Sequence, residues 1–149
     1  MTIVTSPCAG RVVGLQAVPD PVFSEAMVGP GTAVDPGRSP ITAVSPVQGI
    51  IVSLHPHAFV VVEAEGHGVL VHLGIDTVQL NGEGFELVAS KGDTVGRGDP
   101  VVAWHPAAVE RAGKSPVSPV IALEARRESL AELVEDGEVA TGAPLFVWT

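Results

Sequence analysis

Two of the chain's five histidines stand where chemistry is possible. His72 interrupts "HGVLVHLGIDTV" (67–78), an apolar run that otherwise reads as buried strand, and His57 opens "HAFVVVE". Two neutral imidazoles on one face of neighbouring strands can reach one shared small group. One can act as a nucleophile through its Nε2 lone pair, provided its Nδ1–H donates to a backbone carbonyl that fixes the tautomer. Gly74, two residues after His72, can present such a carbonyl closely because it lacks a side chain. The second imidazole can donate to oxygens on the incoming group. That division of roles suits phosphoryl transfer, where positioning and charge neutralisation carry most of the work.

A metal reading competes. "HPH" (55–57) and "HLGID" (72–76) supply His55, His57, His72 and Asp76, enough ligands for a zinc-dependent hydrolase. Motifs this short arise by chance, and no spare carboxylate–His pair offers a general base, so phosphoryl transfer is preferred and neither metal nor cofactor is expected. His67, between two glycines, and His105, before a proline, read as solvated turn residues. Cys8 is the single cysteine, excludes an intrachain disulfide, and reads as packing.

The two imidazoles need a frame. Hydrophobic residues make up 46% of the 149, with no Tyr, so the core is aliphatic; 17 Gly and 13 Pro mark frequent turns between apolar runs. "RVVGLQAV", "GIIVSL", "AFVVVEAE", "GVLVHLGI", "PVVAW", "PVIAL" and "PLFVW" read as strands of four to eight residues. Helical periodicity is scarce: two turns are expected over 106–114, a helical face of Leu130, Leu133 and Val134 within 127–135, and one turn over 25–28. The expected fold is all-β, an antiparallel β-sandwich or barrel-sandwich hybrid with a few helical turns, as one domain over 1–149. "SPCAGRVVGL" (6–15) echoes "SPVQGIIVSL" (45–54), and "TVGRGDPVVAW" (94–104) echoes "EVATGAPLFVW" (138–148), which suggests a duplicated β motif. A short turn near Gly66 should pair 58–65 with 68–73 as a hairpin and bring positions 57 and 72 together at its far end. A register slip of one residue would put them on opposite faces.

The formal charge of −9 and the scatter of only eight Lys and Arg exclude a nucleic-acid stripe. Such a surface favours a basic protein partner and repels a small free anion, so phosphate should arrive on a carrier. No apolar run approaches the roughly 20 residues of a membrane helix, and the N-terminus lacks a signal-peptide pattern. The expectation is a cytoplasmic, monomeric protein that is not membrane-inserted, with the start at Met1 favouring a free chain.

"VHLGIDTVQLNGEGFE" (71–86) followed by "SKGDTVGRGDPVV" (90–102) resembles the glucose-type enzyme IIA of the bacterial sugar phosphotransferase system. The likeness extends through "SPCAGRVV", "VPDPVFSEAMVGPGTAVDP" (18–36), "SPVQGIIVSLHPHAF" (45–59) and "SPVSPVI" (115–121), nearly the whole chain. It implies a phosphohistidine carrier with a shallow site on a β-sandwich. His72 Nε2 would take a phosphoryl group from the small carrier HPr and pass it to a cysteine on the IIB domain of a sugar permease, of glucose or N-acetylglucosamine type. His57 would hold the phosphoryl oxygens and Gly74 would accept the Nδ1–H of His72. Phe23, Met27, Val28, Leu70 and Val78 would form an apolar docking ring, with Asp20 and Asp76 at its rim. The unphosphorylated family form also binds regulatory protein targets, which makes a purely regulatory module the remaining alternative. A biotinyl or lipoyl carrier fails because neither Lys91 nor Lys114 sits at a suitable hairpin tip.

The chain departs from the family pattern in two ways. His55 stands where the family usually has a Thr hydrogen-bonded to the first histidine; a neutral His55 could accept that bond. Leu70 and Leu73 stand where Phe is frequent.

Overall fold

The computed structural model describes all of residues 1–149. The strands, in chain order, are β1 (Thr2–Thr5), β2 (Gly10–Gly14), β3 (Gly31–Pro36), β4 (Ile41–Val44), β5 (Gly49–His55), β6 (Ala58–Val62), β7 (Gly68–His72), β8 (Phe85–Leu87), β9 (Thr94–Val95), β10 (Pro100–Trp104), β11 (Ser118–Ala122), β12 (Leu130–Ala131), β13 (Glu138–Val139) and β14 (Pro144–Trp148). Helices are confined to α1 (Pro21–Ser24), α2 (Pro106–Arg111) and three 3-10 turns. Every strand pair is antiparallel. The fold is all-β, as the sequence suggests.

An eight-stranded sheet runs β13-β2-β3-β11-β7-β6-β5-β9, and two three-stranded sheets run β1-β14-β12 and β4-β10-β8. One face of the large sheet, through Val12, Val34, Ile51, Val61 and Val71, shares a core with Val4 and Phe146 of one small sheet and Ala43, Val102 and Trp104 of the other. Fully burying each such side chain contributes roughly 1.5–3 kcal/mol. Alternate residues point to the opposite face. There Ala33 and Ile121 meet Leu15, Val18 and Phe23 from the connection that holds the 3-10 turn Leu15–Ala17 and α1, with Ile75 completing a second cluster.

The internal echoes correspond to repeated structure. In the order of the large sheet, β13-β2-β3-β11 mirrors β9-β5-β6-β7, and β1-β14-β12 mirrors β4-β10-β8. Ser6 donates to the Cys8 carbonyl and Ser45 to the Val47 carbonyl, both at 2.6 Å, so both copies open on the same buried turn. Gly10 and Gly49 are matched too: a Cβ on either would lie 2.2 Å from a facing carbonyl oxygen.

Two expected helical segments differ. Over 127–135 only Arg127–Ser129 forms a 3-10 turn, after which Leu130 pairs with Trp148 at the sheet edge and Glu132 takes φ +53°. Edge pairing and burial of Leu130 outweigh a weak helical pattern. The single turn expected at 25–28 lies upstream, because Asp20 accepts from the Val22 N–H and Pro21 starts α1 with a preset φ, while Ala26 at φ +54° ends the segment. Over 106–114 the helix forms as expected, over Pro106–Arg111.

Candidate active site

The β6–β7 hairpin sets the site. Its register places Ala58 opposite His72, so His57 stands one residue beyond the pair. His57 itself occupies the two-residue Pro56–His57 turn from β5 to β6, where proline presets the backbone of the first turn position. The Leu73 N–H donates to the His57 carbonyl at 2.7 Å and ties this turn to the end of β7. The two rings lie with centroids 5.3 Å apart and planes at 69°. They converge on one face, as the expected register requires.

His72 Nδ1 lies 2.5 Å from the Gly74 carbonyl oxygen. A carbonyl only accepts, so Nδ1 carries the hydrogen and neutral His72 keeps its lone pair on Nε2. Gly74 is indispensable to that geometry. Its φ is +81°, and a Cβ there would lie 2.6 Å from Thr77 Cγ2 and 2.9 Å from the Ser115 carbonyl oxygen. The segment after His72 is pinned twice more: Thr77 Oγ1 donates to the Leu73 carbonyl at 2.8 Å, and the Ile75 N–H donates to Ser115 at 2.8 Å. Thr77 and Ser115 therefore fix the segment that follows His72. No motif marks Ser115, whose contribution is a carbonyl that any residue carries.

Electrostatics keep both rings neutral. Burial pushes His72 below its ordinary pKa, against the opposing pull of the Gly74 carbonyl and of the Asp20 and Asp76 carboxylates. Burial also lowers His57, with positive charge on His72 and His55 adding to the effect. His55 is exposed, its ring centroid 5.8 Å from that of His57, and no hydrogen bond joins the two. The bond that a threonine would supply there is not replaced; instead His55 disfavours a proton on His57.

The surrounding residues divide by exposure. Met27 (69% exposed) and Val78 (58%) project to solvent, while Val28 and Leu70 are half-buried. Phe23, expected in the docking ring, is buried and packs its ring 5.2 Å from His72, which makes it the wall behind the imidazole. Asp20 is occupied in capping α1, and Asp76 is exposed at φ +59°. The larger clefts lie elsewhere, and neither His57 nor His72 lines them. A site outside those clefts offers little to a small free substrate, which normally needs a concave pocket, and suits a group delivered on another macromolecule.

His55, His57, His72 and Asp76 do not converge as metal ligands; the one triad whose ligand atoms come within 4.8 Å of one another is Glu63, Glu65 and His67, at the other end of the hairpin. His67 also departs from its expected solvation. Its ring stacks on Trp148 with centroids 4.1 Å apart, because the hairpin tip folds against β14. Cys8 is buried and its thiol is pushed up to about 12, chiefly by burial, which removes it as a nucleophile.

The family of the phosphoenolpyruvate-dependent sugar phosphotransferase system, EIIA 1, matches residues 2–127. The chain belongs to this EIIA family. It is 35% identical over 137 residues to the glucose-specific EIIA component of Staphylococcus aureus, covering 92% of this chain and 82% of that one. It is 40% identical over 134 residues to the glucose-specific EIIA component of Haemophilus influenzae, covering 90% and 80%. The glucose permease IIA from Mycoplasma capricolum superposes with a TM-score of 0.87 at 33% identity, covering 98% of this chain and 94% of that one. This EIIA chain is thus a phosphocarrier of sugar phosphotransfer, a component of a phosphoryl-transferring system. No helix in it is long and apolar enough to cross a membrane.

Proposed function

We propose that residues 1–149 act as one EIIA unit in which His72 carries the phosphoryl group. The Nε2 lone pair of His72 attacks phosphorus on the phosphohistidine of HPr. The donor's P–N bond breaks as the new one forms, and its electron pair returns to the donor imidazole. In the second half, a thiolate on the IIB domain of a sugar permease attacks phosphorus and His72 leaves. His57 donates to the phosphoryl oxygens and steadies charge as it redistributes. The observation that carries this reading is the Nδ1–H bond from His72 to Gly74, which leaves Nε2 as the free nitrogen beside His57. Met27, Val28, Leu70 and Val78 give the apolar landing surface, with Phe23 behind it and Asp20 and Asp76 as the acidic rim for a basic carrier. Both partners use one face in turn, so each complex should be small and transient. Similarity to glucose-specific components supports a glucose-type permease as the recipient over an N-acetylglucosamine-type one.

The test is incubation with phosphoenolpyruvate, enzyme I and HPr, followed by intact mass. One acid-labile phosphoryl group should add to the wild type and none to His72→Gln. His57→Gln should accept the group yet pass it to IIB some 10²- to 10³-fold more slowly, the usual cost of removing a charge-stabilising donor. Wild-type delivery by His57→Gln would sink the role given to His57.

A further inference from the structure

We propose that Glu63, Glu65 and His67, at the tip of the β6–β7 hairpin, hold a divalent cation of the zinc class. The residues alternate along the chain as Glu-x-Glu-x-His, and Gly66 at φ +88° turns the backbone so that their ligand atoms come within 4.8 Å of one another. A nitrogen and two carboxylates form a ligand set that zinc accepts.

The arrangement is already oriented. His67 Nδ1 is enclosed and has no hydrogen-bond partner, and it lies 3.6 Å from Glu63 Oε1. Two ligand atoms on one tetrahedral zinc stand roughly 3.4 Å apart, given bonds of about 2.0–2.2 Å. Stacking on Trp148 holds the imidazole plane, with Nδ1 on the side of Glu63. The Glu63 side chain is only 10% exposed. Its Oε1 accepts the His67 backbone N–H at 3.0 Å and its Oε2 accepts the Thr2 hydroxyl at 3.0 Å. Each oxygen keeps a second lone pair for an ion. Glu65 is more exposed, and its Oε1 meets the Met1 ammonium at 3.4 Å, a contact the cation would displace. Five residue steps separate His67 from His72, roughly 17 Å along the strand, so the site is distinct from the phosphoryl site. A bound ion would clamp the hairpin tip where it lies against β14.

The experiment titrates zinc into the full chain carrying His57→Gln and His72→Gln, which removes the competing imidazoles. One zinc per chain should bind by calorimetry, and His67→Gln and Glu63→Gln should each weaken it at least tenfold. Nickel, which quenches nearby indole emission, should quench Trp148 in this background and fail to do so once His67 is replaced. Glu65→Gln, at an exposed position, guards against a folding artefact and should weaken zinc at least threefold. Absence of stoichiometric zinc, or affinity unchanged by both His67→Gln and Glu65→Gln, overturns the proposal. So does zinc binding seen only when His57 and His72 are intact.

Discussion

His72 and Ile121 hold matching places in the two halves of the eight-stranded sheet. Aligning Val12 with Ile51, Val34 with Val61 and Ser118 with Val69 sets the pair Gly31–Ile121 against Ala58–His72. The backbone frame is therefore the same, and the fates of the two side chains are opposite. Ile121 is fully buried under Leu15, Val18 and Phe23, whereas His72 is half-buried and aims at His57. The difference lies in the connections. Between β2 and β3 the chain runs through a 3-10 turn and α1, which fold back over the sheet and seal it. Between β5 and β6 it makes a two-residue turn that covers nothing and puts an imidazole at the rim. One duplicated unit thus supplies a lid and the other the paired imidazoles, and Phe23 of the lid reaches across to wall His72.

Ile121→His breaks this comparison most severely. It would place an imidazole in a sealed apolar cluster with no partner, at a cost of about 3 kcal/mol from lost packing and desolvation. Denaturant unfolding should register that loss, and in the presence of His72→Gln the variant should remain unphosphorylated. Phosphoryl transfer to the new histidine would show that the lid does not seal its half.

Gly74→Ala acts on the chemical half alone. Its methyl would press on Thr77 and on the Ser115 carbonyl in a left-handed backbone conformation, a strain of about 1–3 kcal/mol. The backbone would relax by moving the Gly74 carbonyl off Nδ1, freeing the wrong tautomer. Acceptance from HPr should therefore fall more than stability accounts for. Equal acceptance rates for folded Gly74→Ala and wild type would remove Gly74 from the mechanism.

How much of this was legible beforehand follows from the kind of contact involved. Strands with dense β-branched runs, such as 58–62 and 119–121, declare themselves, and the hairpin register follows from Gly66. β3 did not, since "GTAVDP" mixes Gly, Asp and Pro into a strand whose Gly31 exists because a Cβ would lie 2.1 Å from the Val120 carbonyl oxygen. The pairing of β3 with β11 is a long-range fact that no local pattern encodes. His57, His72 and Gly74 were visible as side chains or as the lack of one. The Phe23 wall, the Ser115 carbonyl and the Trp148 stack on His67 depend on where distant loops return.

The smallest effect concerns protonation, and its sign follows from the two depressed imidazoles. His57 and His72 both have folded pKa values below the ordinary 6.5. Around pH 6.5 the unfolded chain therefore binds more protons than the folded one, and stability rises with pH. Their neutral forms contribute no penalty above 6.5; stability falls as pH drops from there toward the folded values, and levels off below them. Acceptance by His72 should follow the same limb, since a proton on Nε2 occupies the attacking lone pair. His55→Thr sharpens the point. It removes the exposed like charge that helps to depress His57 and leaves the influences on His72 untouched. Imidazole proton titration by NMR should show the His57 midpoint moving up toward 6.5 while that of His72 stays in place. Movement of His72 alone, or of neither ring, would show that His55 does not tune the site through charge.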